Sequence, residues 1–345
     1  MRDPTLDLPS ELLIVRHGES AGNVAREEAE RRGLDRIALE ARRDCDVPLS
    51  PRGEQQAAAL GRWLGELPAA ARPTVVLSSP YLRASRTAAL LLREGGLDGV
   101  GLRLDERLRE REFGVLDRLT RRGIERALPE QAAQRRAVGK FYHRPPGGES
   151  WCDVLLRLRG VLETLSRDLR GERVVLVCHS VVVLCLRYLL EQLTEEQILA
   201  IDRSVEVANC SVTSYRRSGG ALLLQRFNFV APLRERGAPV TAESSDPADP
   251  AGRAETAGSG TAGGSQRSRA AETAGSGTAE RSQGPQPAET ADSENAENSQ
   301  RPQPAEPARS ETAESSQRPE PAHPQPAERK QPAEPPEPHV PIARS

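Results

Sequence analysis

The stretch Leu12-Leu13-Ile14-Val15-Arg16-His17-Gly18-Glu19-Ser20 joins a short apolar run to a cation, an imidazole and a glycine. An uninterrupted apolar run of this length is the pattern of a fully buried strand. Such a strand delivers Arg16 and His17 to the carboxyl edge of a sheet, where open α/β sheets bind their ligands. Gly18 removes side-chain bulk, so that a backbone N–H can approach a phosphate oxygen. Arg16 supplies a planar fork matched to phosphate and stays charged at any relevant pH. The stretch alone predicts a phosphate site with a histidine at its centre. A hydrogen-bonded structural histidine is the competing reading.

The rest of the chain repeats the pattern. Ala21–Arg43, rich in Ala, Glu and Arg, is expected to be largely helical until Pro48-Leu49-Ser50-Pro51 breaks it. Ser50 reads as the cap of a second helix, with Pro51 in its first position and Glu54 in its first turn, running to about Leu67. Thr74–Leu77 is a second buried strand ending in Ser78-Ser79-Pro80, followed by helical spacing from Leu82 to Arg93 and a short strand at Gly101–Leu104. A basic stretch leads to the loop Pro145-Pro146-Gly147-Gly148, and Ser150 caps a helix with Val154, Leu155, Leu158, Val161, Leu162 and Leu165 on one face. Arg173–Val177 is a strand, Val181–Leu193 a buried helix, and Val207–Tyr215 with Ala221–Asn228 are closing strands. Strands alternating with helices predict a three-layer α/β/α sandwich with a largely parallel sheet. Its strand ends carry Arg16-His17-Gly18, Ser78-Ser79 and Cys178-His179-Ser180, which should meet in one crevice.

His179 is the second informative position, because Val174-Val175-Leu176-Val177 delivers it as Leu12–Val15 delivers His17. Zinc is the rival explanation for two imidazoles. The carboxylate or thiolate partners at metal-site spacing are missing, however, and Cys178 should face away from His179 in a strand. No metal is expected.

Composition separates two polymers within the 345 residues. Every Phe, Tyr, Trp and Cys lies at or before Phe229, and from about Arg234 the chain is Ala, Glu, Thr, Ser, Gly, Gln, Pro and Arg. Ala254–Ala262 recurs as Ala271–Ala279, and Pro-Ala-Glu units recur to the end. Such a segment buries too little apolar surface to offset its backbone entropy. The expected organisation is an N-terminal extension over 1–10, one domain over 11–232 and a disordered tail over 233–345, with a cut after about Val240 leaving turnover unchanged. A formal net charge of −2 gives no reason to expect nucleic acid. No apolar stretch reaches the ~20 residues needed to cross a bilayer, and Met1-Arg2-Asp3-Pro4 lacks the apolar core of a signal peptide. Five scattered cysteines, mostly in apolar runs, read as reduced thiols of a cytoplasmic protein.

Arg16-His17-Gly18-Glu19-Ser20 with Asn23 resembles the signature of the histidine phosphatase superfamily, which includes cofactor-dependent phosphoglycerate mutases and fructose-2,6-bisphosphatases. Further resemblances follow in the family's order. They are Asp46-Val47-Pro48-Leu49-Ser50 with Gly53 and Gln56-Ala57; Ser78 through Ala84 with Thr87; Leu108-Arg109-Glu110-Arg111-Glu112-Phe113-Gly114; and Gly147-Gly148-Glu149-Ser150 with Asp153-Val154. The resemblance spans about Leu12 to Tyr215 and implies a phosphoglycerate mutase-like fold. It implies that His17 is transiently phosphorylated and that Arg16, Arg83 and His179 surround the phosphoryl group, with Asn23 on one of its oxygens. Glu110 is implied as the acid that protonates the leaving oxygen and then activates water; Glu112 takes that place if the register slips by two. Gly18, Ser20 and Ser180 are supporting binding positions. Cys178-His179-Ser180 resembles the bisphosphatase branch, which has a polar residue after the second histidine.

These residues suit the chemistry. A phosphomonoester is anionic and repels nucleophiles, so charge neutralisation and positioning do most of the work. The same positive field disfavours protonation of His17.

The expected activity is metal-independent hydrolysis of small phosphorylated metabolites, with no cofactor. The alternatives are a phosphoglycerate mutase, using 2,3-bisphosphoglycerate and the same residues, and a catalytically weak regulatory or interaction protein. A mutase needs a lid and a clamp for a second anion. Leu116–Pro146, with Arg121, Arg122, Arg135, Arg136, Lys140, His143 and Arg144, is the candidate, with Arg121 and Arg122 as the expected substrate contacts; an exposed helix face is the competing reading of these basic residues.

Overall fold

A computed structural model describes residues 8–242. In chain order these form β1 (Glu11–Arg16), α1 (Ala21–Arg31), α2 (Pro51–Glu66), β2 (Val75–Ser78), α3 (Leu82–Glu94), β3 (Leu102–Leu104), α4 (Arg121–Ala127), α5 (Pro129–Val138), α6 (Trp151–Asp168), β4 (Arg173–Cys178), α7 (Ser180–Glu191), α8 (Glu195–Ser204), β5 (Val212–Ser218), β6 (Ala221–Phe229) and α9 (Ala231–Glu235). The six strands lie in the order β3-β2-β4-β1-β5-β6. Strands β3, β2, β4 and β1 are mutually parallel, and β5 runs antiparallel to β1 and β6.

Successive side chains of a strand point to opposite faces, so a strand covered on both faces must be apolar throughout. Leu12, Ile14, Val174 and Leu176 pack with the buried faces of α6, α7 and α8, while Leu13, Val15, Val175 and Val177 pack with α2 and α3. These strand side chains are nearly all without solvent contact, each contributing on the order of 1.5–3 kcal/mol of burial. The result is the expected three-layer sandwich.

The topology places the crevice. The chain leaving β1 crosses to β2 beyond β4, whereas the chain leaving β4 returns to β5 beyond β1. Neighbouring strands whose connections diverge leave a gap at their carboxyl ends. In the parallel register Arg16 stands opposite Cys178. His17 and His179, one residue further along each strand, are therefore neighbours, and His17 N–H donates to Cys178 O at 2.9 Å.

The helix expected over Ala21–Arg43 stops at Arg31. Gly33 adopts a left-handed φ of 62°, and Leu34 N–H turns back to Ala29 O at 2.8 Å. The following segment is extended across the sheet edge: Ile37 N–H donates to Arg118 O, and Thr120 N–H to Asp35 O. Tertiary hydrogen bonds override the helical composition of this stretch.

The domain boundaries also move. Leu8 packs against the core, and Ser10 N–H donates to Glu172 O, so the fold begins before residue 11. At the other end Leu233 is fully buried, and Thr241 is hydrogen-bonded to Gln56 and Asn209. The ordered chain therefore continues past residue 232 to at least Ala242, and a cut after Val240 would remove part of it. The expected disordered tail from residue 243 onward, like residues 1–7, lies outside the described residues.

Two glycines fix how the β1–α1 loop meets α2. A Cβ at Gly18 would stand 2.5 Å from Gly53 O, and one at Gly53 would stand 2.0 Å from Glu19 O. Gly18 is thus required by contact with the first turn of α2. Its N–H, expected to face phosphate, donates instead to Thr87 Oγ1 at 3.0 Å. Gly53→Ala should therefore lower the unfolding free energy by about 1–3 kcal/mol, the usual cost of overpacking. A urea midpoint equal to that of the wild type would contradict this close-approach account.

Candidate active site

The cleft at the divergence of β1 and β4 is lined by Arg16, His17, Ser20, Asn23, Arg83 and Glu110 at its floor. The outer wall comes from Gly22 and Arg26 of α1, from Ile37, Leu39 and Asp44 of the extended segment, and from Phe113, Asp117 and Arg118. The histidine rings lie 5.0 Å apart, with planes inclined by 63°.

His17 Nδ1 lies 2.7 Å from Gly18 O. A carbonyl can only accept, so Nδ1 carries the proton and the ring lone pair belongs to Nε2. Burial first, then the charges of Arg83 and Arg16, hold the His17 pKa well below the usual imidazole value. The ring is neutral around pH 7, with Nε2 able to act as a nucleophile. His179 is also held well below its usual pKa, by burial, by Arg83 and by His17. It is therefore uncharged before an anion arrives, and the imidazolium of a phosphate complex would have to form on binding. Its Nε2 shares a 2.8 Å hydrogen bond with Ser79 Oγ, and the Tyr81 ring stands against it at 5.3 Å.

Glu110 follows a one-turn 3-10 helix whose cap, Asp105, accepts from Arg107 N–H. Two further contacts tie this segment to α6: Arg157 Nη1 donates to Arg107 O, and Glu149 accepts from both Arg109 and Arg157. Glu110 is buried, accepts from Arg111 N–H at 2.9 Å through Oε1, and has Oε2 4.0 Å from His179 Nδ1. Burial raises its pKa, partly opposed by the Arg111 hydrogen bond and by Arg83 and Arg16. A carboxyl that keeps its proton above the ordinary range is suited to general acid catalysis. Glu112, the alternative acid, is half-exposed and accepts the Tyr81 hydroxyl at 2.6 Å.

Ser20 caps α1 and forms a capping box with Asn23. Asn23 Oδ1 accepts from Ser20 N–H and Oγ, so its amide Nδ2 is the group left to meet a ligand. Arg16 Nη1 donates to Val207 O, which fixes the guanidinium beside His17. Arg83 lies over the Tyr81 ring at 5.0 Å, and its fork is held by Asp44: Nη2 to Oδ2 at 2.9 Å, Nη1 to Oδ1 at 3.2 Å and Nη1 to the carbonyl at 2.7 Å. The sequence reading did not single out Asp44, because nothing in Asp44-Cys45-Asp46 marks which carboxylate crosses the cleft.

Other expectations need correction. Arg121 pairs with Glu125, and Arg122 pairs with Asp35 and Gly33 O; neither lines the cleft. Their helix packs Gly123 against Asp35 O, which faces the basic side chains along the back of the 34–46 segment. Arg26 and Arg118 are the outer cations instead. Ser180, expected as a supporting binding position, is the first residue of α7 and lies outside the lining. Gly18 supports the loop from behind. Among the described residues no group of three or more His, Cys, Asp and Glu could hold a metal ion, and no helix is long and apolar enough to cross a membrane.

The family model of the histidine phosphatase superfamily (branch 1) matches residues 12–230. The chain belongs to this superfamily. It is 31% identical over 209 residues to a protein named probable phosphoglycerate mutase GpmB from Salmonella paratyphi C (strain RKS4594), a match covering 59% of this chain and 83% of that one. A solved structure named Mycobacterial hydrolase 1 is 27% identical, with a TM-score of 0.50, covering 64% of this chain and 99% of that one. The phosphoglycerate mutase of Bacillus anthracis str. Sterne shares the fold at 19% identity and a TM-score of 0.52, covering 68% and 99%. The fold is thus phosphoglycerate mutase-like, and the relatives include hydrolases and mutase-like proteins.

The Asp44 carboxylate holds both Nη atoms of Arg83 within the cleft, in competition with any anion that Arg83 would bind. Asp44→Asn should therefore tighten inorganic phosphate binding about tenfold or more at pH 7 by calorimetry, since removing one facing charge at about 4 Å is worth about 1 kcal/mol even in bulk water and more near a protein surface. Equal or weaker binding would show that Asp44 does not compete with the ligand.

Proposed function

We propose that this protein is a metal-independent phosphatase of small phosphomonoester metabolites, acting through a phosphohistidine on His17 with Glu110 as general acid and base. The observation that carries the reading is the pairing, in one cleft, of a neutral His17 whose Nδ1 is committed to Gly18 O with a buried Glu110 carboxyl whose pKa burial raises. His17 Nε2 attacks phosphorus as the bond to the leaving oxygen breaks, and Glu110 gives that oxygen its proton. The resulting Glu110 carboxylate then takes a proton from water, whose oxygen displaces Nε2 from phosphorus. Arg16 and Arg83 neutralise the equatorial oxygens, Asn23 Nδ2 donates to one of them, and the bound dianion raises the affinity of His179 for a proton taken up from solvent. Division into two transfers replaces one difficult displacement.

Hydrolysis is favoured over mutase chemistry because the basic residues of 121–144 bind this chain's own groups or lie away from the cleft. Arg126 pairs with Asp35, Lys140 with Asp202 and Arg144 with Asp153. A mutase must hold its intermediate away from water while a second anion reorients, and that segment supplies no clamp. Mutase chemistry is the second reading, supported by Arg26 and Arg118 on the outer wall and by the name of the 31% identical relative. Incubation with 3-phosphoglycerate, with and without 2,3-bisphosphoglycerate, separates them: free phosphate supports the phosphatase, 2-phosphoglycerate the mutase. The five cysteines, all unpaired and three of them buried, support a reducing, cytoplasmic setting.

His17→Ala should abolish turnover. Glu110→Gln should slow an alkyl phosphate about 100-fold or more and p-nitrophenyl phosphate far less, because nitrophenolate needs little protonation. The pH dependence follows from the directions of the shifts. The acid form of Glu110 is the active one and its pKa is raised, so kcat/KM for an alkyl phosphate should fall as pH rises through that pKa. This alkaline limb should vanish in Glu110→Gln. Equal slowing of both substrates, or an unchanged limb, would remove Glu110 from the mechanism.

A further inference from the structure

The chain beyond β6 folds back onto the domain. Here α9 buries Leu233, and the chain then passes as an extended strap, Pro239–Ala242, beside the turn that precedes β5. Asn209 N–H donates to Thr241 O at 2.9 Å, and Ala208 pairs with Ala242 in an antiparallel bridge.

At the centre of this contact is one hydroxyl. Thr241 Oγ1 accepts from Gln56 Nε2 at 2.8 Å and donates to Asn209 Oδ1 at 3.0 Å. Gln56 Nε2 also donates to Pro239 O at 3.0 Å. Both amide side chains are almost completely buried, and each spends its other end on the His17 loop. Asn209 Nδ2 donates to His17 O at 3.1 Å, and Gln56 Oε1 accepts from Glu19 N–H at 2.8 Å.

These two bonds hold the two peptide units on either side of Gly18. The His17–Gly18 unit is held through its carbonyl by Asn209. The Gly18–Glu19 unit is held through its N–H by Gln56, and its carbonyl is the one that accepts from His17 Nδ1. Because a peptide unit is rigid and planar, fixing the Glu19 N–H direction fixes the direction of the Gly18 carbonyl. The polarity of the network is unambiguous, since every amide oxygen meets a donor and every amide nitrogen an acceptor. Cys210, beside Asn209, sits at a left-handed φ of 53° and directs its N–H to Arg16 O at 3.0 Å. A non-glycine residue in that conformation needs its surroundings to hold it.

We propose that Thr241 is a positioning residue for the reaction at His17: through Gln56 and Asn209 the strap orients the Gly18 carbonyl and so selects the nucleophilic Nε2 tautomer. The strap's hydrogen bonds go to Gln56 and Asn209, neither of which lines the cleft, so its effect falls on the chemical step rather than on substrate affinity. The proposal rests on the reading of His17 as the nucleophile.

The test compares Thr241→Val, which keeps the shape and loses both hydrogen bonds, with Thr241→Ser, which keeps them, in the full-length chain. Thr241→Val should lower kcat for p-nitrophenyl phosphate about tenfold while KM stays within about twofold, and Thr241→Ser should stay within about twofold of wild type in both, the pattern of a misplaced reacting group. Nitrogen-15 spectra of the histidines give a readout independent of turnover. Wild type should show His17 protonated on Nδ1, and Thr241→Val should show a mixture of tautomers. Unchanged kcat and tautomer in Thr241→Val, or a serine variant as impaired as the valine one, would overturn the proposal. An inactive wild type whose His17 tautomer still responds to Thr241→Val would overturn the phosphatase reading and leave the strap's role standing.

Discussion

The hydrogen bond from His17 Nδ1 to Gly18 O, 2.7 Å long, is the interaction on which the rest of this site depends. Imidazole has two nitrogens, and only the one without a proton can attack phosphorus. Two separate influences meet at this ring. Burial with Arg16 and Arg83 nearby removes the charged form, and the adjacent carbonyl chooses between the two neutral ones. In the proposed reaction the cations that would neutralise the phosphoryl group also keep its acceptor unprotonated, a coupling strongest where water is excluded.

That local arrangement needs the fold around it. Parallel pairing of β1 with β4 brings His179 beside His17, and the opposed directions of their connections open the cleft. Close backbone contact between Gly18 and Gly53 seats the loop on α2, whose Gln56 reaches back to it. Glu110 arrives from a separate segment, tied to α6 through Glu149 and Arg157. Apolar strands supply the rigid frame, and each loop that leaves it is fixed by its own hydrogen bonds. The pair of Asp44 with Arg83 adds an internal carboxylate on one of the cations of the cleft.

Much of the frame was legible in the sequence. Uninterrupted apolar runs ending in Arg16-His17 and Cys178-His179 do form buried strands, and Ser50 and Ser150 do cap the helices they were expected to open. Other features were not legible, for identifiable reasons. Ala21–Arg43 has helical composition, yet a left-handed Gly33 and hydrogen bonds to Arg118 and Thr120 pull its second half across the cleft. Arg121 and Arg122 look like ligands by charge alone; only the packing of α4 shows that Asp35 and Glu125 take them. Thr241 lies in a stretch whose composition resembles the polymer that follows it, and its partners stand 185 and 32 residues away. No local pattern marks such a contact.

In the proposed reaction His17 Nε2 receives the phosphoryl group. Rapid mixing with excess substrate, an alkaline quench that preserves phosphohistidine, and phosphorus NMR of the isolated peptide would test it directly. The account predicts a single phosphorylated residue, His17, modified on Nε2. Phosphate on Nδ1, on another residue, or on none while turnover proceeds would contradict it.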